Sequence, residues 1–360
     1  MAQHYTMTKK KREGRRSRAA LKNNPFSLNK PFIIAEIGGN HEGNFAYAKK
    51  LLREAASTGV DAVKFQIYRG SKIANEVVAP ERKKHFEKFE LRDKEWRELI
   101  AFAHKLGVIF MASVWDLESL AMYDPYLPIH KVGSGDLTSH YFLEQLAKKN
   151  KPLILSTAMS TIAEIKAAVQ VVRKANPKLV REHKLAILHC VAMYGDPKDA
   201  YANLLSIKKL QDTFPDVVIG YSDHTKGIYA CELALAMGAQ VIEKHFTDDK
   251  TRDFRDHHIS ANKAEMKELL KRSQLIQTYL GTYDKRPVEA VETPERIRDF
   301  RRAVYPARDL RAGETLTTKN TVLLRPNKGI DARRYRQILG KRLKVPKKKF
   351  EALKSSDLLS

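Results

Sequence analysis

The sequence predicts an α/β chain built as a closed (β/α)8 (TIM) barrel followed by a small second domain. Three observations carry that expectation. Eight short, nearly continuous apolar runs recur between residues 32 and 246. Amphipathic stretches with apolar residues at helical spacing separate them. The alternation also spans about 250 residues, the usual length of such a barrel. Strands that are apolar along their whole length are buried on both faces, which is the property of a parallel sheet covered by helices. A doubly wound open sheet is the structural alternative.

In chain order the runs are FIIAEIG (32–38), DAVKFQ (61–66), VIFMAS (108–113), IHKVGSG (129–135), PLILSTA (152–158), LAILHCV (185–191), VVIGYSDH (217–224) and VIEKHF (241–246). Between them lie helical patterns such as AYAKKLLREAASTG, TIAEIKAAVQVVRKA and GIYACELALAMGA, which end in small residues or glycine. The interval 67–107 exceeds what one helix needs, so an excursion over the barrel mouth is expected there. A last helix is expected from Lys263 to Leu280. The barrel is therefore placed at 31–281. GTYDKRPVEAVETPER, rich in Pro, Gly and charge, places a linker at 282–298, and 299–360 reads as a compact unit of short strands and helical turns.

The 66 Lys and Arg against 42 Asp and Glu give a formal charge of +24, concentrated in KKKREGRRSR near the start and ARRYRQILGKRLKVPKKK near the finish. Residues 1–30 are expected to form a basic, disordered arm. Like-charge blocks without interleaved aromatics or a nucleic-acid motif are ordinarily solvated, so specific nucleic-acid binding is not expected. Such a field would also draw anionic substrates. Cys190 and Cys231, the two cysteines, lack paired spacing. They imply no disulfide framework, a reducing compartment and core positions. No apolar run approaches the roughly 20 residues of a membrane span, and the start lacks the apolar region of a signal peptide. A soluble, cytoplasmic protein with no membrane partner is expected.

Active sites of such barrels form at the C-terminal ends of the strands. There the sequence places Glu36, Lys64, Gln66, Ser113, Lys131, Ser134, Ser156, Ser222, His224, Glu243 and His245. A separation of two puts Lys64 with Gln66, Ser222 with His224, and Glu243 with His245 on one face of their strands, while Lys244 faces away as a structural residue. Lysines buried together repel unless an anion compensates them. Lys64 and Lys131 are therefore candidate ligands for a phosphate or carboxylate, which the hydroxyls and Gly-Ser-Gly amides also suit. His224 and His245 end consecutive strands and could converge on Mn, Mg, Co or Zn, with Glu36 nearby and positions open to substrate and water. His189, inside a strand, reads as a satisfied core residue. Tyr194 reads equally as a ligand contact or as packing.

Together, IIAEIGGNHEGN, DAVKFQ, KVGSGDLT, LILSTAM, LHC followed by Tyr194, IGYSDHT and VIEKHFTDD resemble, in this order, the sialic acid synthase family. These are the phosphoenolpyruvate-dependent synthases of N-acetylneuraminate and related nonulosonic acids. AVYPARDLRAGETLTTKNTVLLRPNKGI and ILGKRLKV resemble that family's antifreeze-like, or SAF, domain. The tail resemblance implies a domain-swapped homodimer in which Arg325 meets the sugar in the partner's site.

By the same resemblance His224 and His245 would bind a divalent metal, Mn or Mg, or Co. Lys64, Ser113, Lys131, Ser134, Ser156 and Ser222 would hold phosphoenolpyruvate. Gln66, Asp136, Tyr194, Asp256 and Arg325 would face the acceptor. Glu36, Lys64, Lys131 and Glu243 form the implied catalytic set. The implied reaction joins C3 of phosphoenolpyruvate to the aldehyde of an open-chain N-acetylhexosamine, which the metal polarises. Water adds at C2, and C–O cleavage expels phosphate. N-acetylmannosamine is the default acceptor. A 6-phosphorylated or bacillosamine-derived sugar stays open, because Arg255 in TRDFRDHHIS, Gly195-Asp196-Pro197 and RPNKGI depart from the family on the acceptor side. Two alternatives stand beside this reading. One is another phosphoenolpyruvate-condensing barrel of the 3-deoxy-octulosonate or heptulosonate phosphate type, against which the SAF-like tail argues. The other is a polyanion-binding protein that uses the barrel as a scaffold.

Overall fold

A computed structural model describes residues 25–26, 30–253 and 256–359. Of the basic arm expected over 1–30, only Pro25, Phe26 and Lys30 fall among the described residues, and Arg255 lies outside them. The chain divides into two compact units, one reaching to Gly281 and one running from Thr282 to Ser360. Among the described residues no helix is long and apolar enough to cross a membrane.

The first unit is a closed parallel barrel of eight strands in sequential order. They are β1 (Phe32–Gly38), β2 (Ala62–Ile67), β3 (Ile109–Val114), β4 (His130–Val132), β5 (Leu153–Ser156), β6 (Leu185–Cys190), β7 (Val218–Asp223) and β8 (Val241–His245). Closure is set by β1, which pairs with both β2 and β8. Every apolar run of the sequence became a strand. β4 and β5 are shorter than their runs: Gly133 leaves β4, and Ser134–Asp136 winds into a 3-10 turn.

The strands bury both faces, for different reasons. Outward residues such as Ile33, Val63, Phe65 and Ile242 pack under the helices in one large core. Inward residues change character along each strand. Phe32, Ile34, Ala62, Met111, Ile154 and Val241 fill the lower half of the barrel, capped by Phe26. Two residues further along the same columns come Glu36, Lys64, Ser113, Ser156 and Glu243, all buried. The fold thus stacks a polar layer on an apolar one. Close strand approach depends on Gly220: an added Cβ would lie 2.3 Å from the Val241 carbonyl oxygen and 2.5 Å from Leu188 Cδ2.

Helices cover the barrel where the sequence placed them. Phe45–Ala56 buries Ala48, Leu51, Leu52 and Ala55, a stripe at helical spacing. Its N-terminal amides are capped by Asn44, whose side chain accepts from the Tyr47 N–H. The closing helix runs Lys263–Leu280 behind an Asn262/Glu265 capping box. The interval 67–107 carries two short additional helices, Gly70–Ile73 and Pro80–Phe89, before the packing helix Asp93–Leu106.

In the second unit β9 (Ala303–Pro306) and β10 (Thr321–Leu324) form an antiparallel pair. Val304, Leu310, Leu316, Ile330, Leu343 and Leu353 give this unit a core of its own. Residues 282–298 cluster with it, and they include most of a helix, Pro294–Phe300, that Thr293 caps.

One loop position makes stability pH-dependent. His41 is buried, edge-on to Trp96, and its Nδ1 accepts the Gly43 N–H at 3.1 Å. Burial, opposed by Glu42, pushes the imidazole pKa down to about 4. The unfolded chain therefore binds the proton first. Stability should fall as pH drops from about 6.5 toward 4, by up to about 1.4 kcal/mol per pH unit from this group. His41→Asn retains an acceptor for Gly43, so denaturant unfolding at pH 7 and pH 5 should show a smaller pH difference than in the parent chain. An equal difference would remove His41 as the cause.

Candidate active site

The strand ends bring most of the sequence-predicted residues into one buried, polar layer. Cross-strand register explains how. Glu36 pairs with Lys64 on one side and His245 on the other, Gln66 with Ser113, Ser113 with Lys131, and Ser222 with Glu243. Inward parity then turns these neighbours toward one another.

At the centre two ammoniums face two carboxylates. Lys64 Nζ lies 2.8 Å from Glu36 Oε1 and 3.8 Å from Glu243 Oε2. Lys131 Nζ lies 3.4 Å from Glu243 Oε1, which also accepts from Ser222 Oγ at 3.1 Å. Gln66 Nε2 donates to Glu36 Oε1 at 3.1 Å. The lysines expected to await an external anion are therefore already compensated from within the barrel.

The four groups are not equivalent. Burial alone would lower Lys64, but Glu243 and Glu36 outweigh it and hold the ammonium above its ordinary range. Burial dominates at Lys131 and holds it below its range, with Lys64 adding repulsion. Burial would raise Glu243, yet Lys131, Lys64 and the Ser222 hydrogen bond keep it ionised and lowered. Burial wins at Glu36 and raises it, Glu243 adding to the effect against the pull of Lys64. Two carboxyl groups pushed apart in this way suit separate proton-holding and charge-stabilising work.

The two imidazoles meet beside this quartet. The rings of His224 and His245 lie 5.1 Å apart, centroid to centroid, and Tyr194 meets His224 edge-on at 5.5 Å while remaining 59% exposed. Burial drives His224 down to about 4 and His245 well below its usual value, so both are neutral, as metal ligands must be. His245 Nδ1 is buried without a hydrogen-bond partner among the described residues. Among the described residues no three His, Cys, Asp or Glu side chains group as a metal site. The donor set therefore fits a divalent ion that takes two protein nitrogens and completes its shell with substrate and water oxygens. Gly38, at φ +54°, keeps space open here. An added Cβ would lie 3.2 Å from Glu36 Oε1, 3.3 Å from Gln66 Nε2 and 3.5 Å from His245 Cε1.

The remaining predicted residues lie outside this quartet. Ser134 Oγ accepts the Ala158 N–H at 3.0 Å, tying the turn after β4 to the end of β5. The buried Ser156 hydroxyl has no partner among the described residues. Asp136 is half-buried, and burial raises its carboxyl although Lys131 opposes the rise. Asp256 is buried in the segment after β8, its carbonyl accepting from Ser260 Oγ. Arg325 belongs to the second unit, where its guanidinium lies over the Phe300 ring at 5.6 Å.

Cys190 is a buried core residue, as the sequence implies, and it also borders the site: its register partner is Ser222 and its Sγ lies 3.6 Å from His224 Nδ1. Burial pushes its thiol up to about 11. The alternation that turns His189 outward, where Nε2 meets the Ala202 carbonyl oxygen at 2.8 Å, was the available signal. Lys244 is structural, as its parity implied: it pairs with Asp223 at 2.7 Å on the outer face.

A closed parallel barrel with hydroxyls, neutral imidazoles and a charge-compensated Lys/Glu quartet at its C-terminal mouth is the layout of a barrel enzyme. Comparison with known proteins narrows it. The NeuB family profile matches residues 51–285, and the SAF domain profile matches 301–359. The chain is 36% identical to the N,N'-diacetyllegionaminic acid synthase of Campylobacter jejuni over 87% of its own length and 96% of that protein. It is 35% identical to the N-acetylneuraminate-9-phosphate synthase of Mus musculus, covering 70% of this chain and 71% of that one. The crystal structure of the N-acetylneuraminic acid synthetase of Leptospira borgpetersenii, in complex with citrate, superposes with a TM-score of 0.68 at 33% identity, over 75% of this chain and 91% of that chain. The chain belongs to the NeuB family and carries a C-terminal SAF domain. It is an enzyme of the sialic acid synthase type.

Proposed function

We propose that this enzyme condenses phosphoenolpyruvate with an open-chain N-acetylhexosamine to form a nonulosonic acid and inorganic phosphate. One observation carries the proposal: a buried layer holding two lysines, two carboxyl groups of opposed pKa and three strand-end serines, the residues a phosphorylated carboxylic acid requires. The names of the relatives point to the same class of product.

In this reading Lys64 and Lys131 neutralise the carboxylate and phosphate of phosphoenolpyruvate, and Ser113, Ser134, Ser156 and Ser222 orient its oxygens. C3 attacks the sugar aldehyde, a C–C bond forms, and the aldehyde oxygen takes a proton. Glu36 suits that transfer, because its carboxyl is raised and its Oε2 is buried with no hydrogen-bond partner among the described residues. Glu243, ionised between the lysines, stabilises positive charge at C2 and directs the incoming water, which bonds to C2 and gives up one proton to restore Glu36. Phosphate then leaves with C–O cleavage, taking the proton of the C2 hydroxyl and giving the 2-keto acid. A divalent ion held by His224 and His245 would polarise the aldehyde oxygen. Gln66, Asp136, Tyr194 and Asp256 are assigned to the acceptor. Residues 31–281 form the catalytic domain in this reading and 282–298 the linker to the SAF domain of 299–360. Two free cysteines agree with a cytoplasmic setting.

N-acetylmannosamine is the first acceptor to test. A diacetamido sugar is the second, favoured by the diacetyl product named for the Campylobacter jejuni relative, which aligns over more of this chain than the mouse enzyme does. The test is incubation with phosphoenolpyruvate, Mn and a panel of N-acetylated hexoses, with and without chelator, and mass identification of the keto acid. Absence of product with every acceptor would end this reading.

The SAF domain is assigned to the acceptor side of a partner's site in a domain-swapped homodimer, with Arg325 as its contact. Arg325→Ala should raise the acceptor KM about 10-fold or more and leave the phosphoenolpyruvate KM within twofold. Equal losses for both substrates would exclude that role.

A further inference from the structure

The turn after β1 carries a residue that its backbone disfavours. The Asn44 N–H closes it on the His41 carbonyl oxygen at 2.8 Å, with Glu42 and Gly43 between them at φ +53° and +72°. Two central residues at positive φ follow the pattern of a type I′ turn, for which Asn-Gly and Asp-Gly are the preferred pairs. Glutamate tolerates the left-handed backbone less well than asparagine does. What it adds is one methylene of reach.

The carboxylate uses that reach. Glu42 Oε1 accepts from Arg252 Nε at 2.8 Å and faces His257 Nε2 at 3.2 Å. Arg252 and His257 both lie in the segment between β8 and the closing helix. The His257 side chain is fully buried, and its Nδ1 lies 2.6 Å from Thr247 Oγ1. Burial lowers the His257 imidazole against the pull of Glu42, and a neutral ring facing a carboxylate carries its proton on Nε2. Glu42 therefore accepts two hydrogen bonds from this segment. The Arg252 bond, opposed by burial, holds the Glu42 carboxyl below its usual range. The first helix adds to the attachment. Its Tyr47 lies 4.5 Å beneath the Arg252 guanidinium, stacks on His257 at 19° and donates its O–H to Asp248, which also meets Lys50 Nζ at 2.6 Å.

Asp256 immediately precedes this anchored histidine. Its carbonyl accepts from Ser260 Oγ at 2.6 Å, and that hydroxyl accepts Asn40 Nδ2 at 3.0 Å from the turn after β1. On the other side His258 Nε2 donates to the Gly195 carbonyl oxygen, next to Tyr194. Residues 256–258 thus bridge the turn after β1 and the loop after β6. The two residues assigned above to the acceptor, Asp256 and Tyr194, lie along that bridge.

We propose that Glu42 is a positioning residue: through Arg252 and His257 it fixes the backbone at Asp256, and through His258 the loop at Tyr194, and so sets acceptor binding without touching a substrate. The inference rests on the acceptor assignment made above. The Glu42 and Arg252 side chains are 27% and 40% exposed, so their ion pair contributes little to folding stability, and the effect falls on geometry instead.

Glu42→Asn in the full chain tests this, because asparagine suits the turn and falls one methylene short of Arg252 and His257. The urea midpoint should equal or exceed that of the parent. The acceptor KM for an N-acetylated hexosamine should rise about 10-fold while the phosphoenolpyruvate KM stays within about twofold. Glu42→Gln keeps both the length and an acceptor oxygen, and should return the acceptor KM to within about threefold of the parent. Hydrogen–deuterium exchange reads the attachment without turnover: amides in 247–261 should exchange about 10-fold faster in Glu42→Asn, with the barrel strands unchanged. An unchanged acceptor KM, parallel rises for both substrates, or unchanged exchange in that segment overturns the inference. If the parent makes no keto acid from any N-acetylated sugar, the condensation reading falls and the acceptor role of Glu42 with it, whereas faster exchange in Glu42→Asn would still show that Glu42 fastens the segment.

Discussion

Glu243→Gln should lower kcat at least about 100-fold and raise the KM for phosphoenolpyruvate, in a protein that still folds. The amide is close to the carboxylate in shape and can keep the Ser222 hydrogen bond, so the loss reports charge. Glu243 is the carboxylate that both buried lysines face, at 3.4 Å from Lys131 and 3.8 Å from Lys64. Without it Lys131, already below its usual range through burial, loses the attraction that opposes deprotonation. One phosphoenolpyruvate-neutralising charge then weakens at neutral pH. Phosphate-release assays across pH 6 to 9 would show it as a fall in phosphoenolpyruvate affinity beginning at lower pH than in the parent. A kcat within threefold of the parent, with unchanged pH dependence, would rule out Glu243 as part of the catalytic set.

Lys244→Met should cost about 3–5 kcal/mol of barrel stability, an unusually large effect for one substitution. Lys244 and Asp223 are both 0% exposed and 2.7 Å apart on the outer face of β7 and β8. Burial would raise Asp223, but Lys244 and the Thr225 N–H hold it ionised and low. Removing the ammonium strands that charge in the core. Lys244 also donates to the Thr225 carbonyl oxygen at 2.5 Å, while Asp223 accepts the Thr225 N–H at 2.8 Å. The pair thereby clamps the N–H and the carbonyl of Thr225, the residue after His224. Urea unfolding of the single variant and of Asp223→Asn/Lys244→Met separates the causes: the double variant, with no uncompensated charge, should recover part of the loss. Equal destabilisation of the two would mean that packing, not charge, makes Lys244 matter.

The barrel was legible because its strands need only local information. Runs such as LAILHCV and VIEKHF are apolar, short and bounded by turn residues, and eight of them at barrel spacing leave few alternatives. The inward columns were legible too: in β8, Val241, Glu243 and His245 pass from the apolar layer to the polar one within five residues. Cys190 is buried, as its apolar run implies; its pairing with Ser222 adds that it faces the polar layer beside His224. The contacts of Trp115 with Tyr68 and Phe86 were hidden because these three residues are scattered over a segment with no simple periodicity.

By itself the sequence determined the barrel, its order of strands, the location of the second unit and the list of groups at the strand ends. It did so because hydrophobic period and strand parity act over a few residues. Only the tertiary structure decided the charge states. Whether Lys131 is weakened and Lys64 strengthened, or which of Glu36 and Glu243 holds a proton, depends on distances among side chains from four strands and on the exclusion of water from all four groups at once. Those are properties of closure, since an electrostatic balance among buried groups has no counterpart in an open chain.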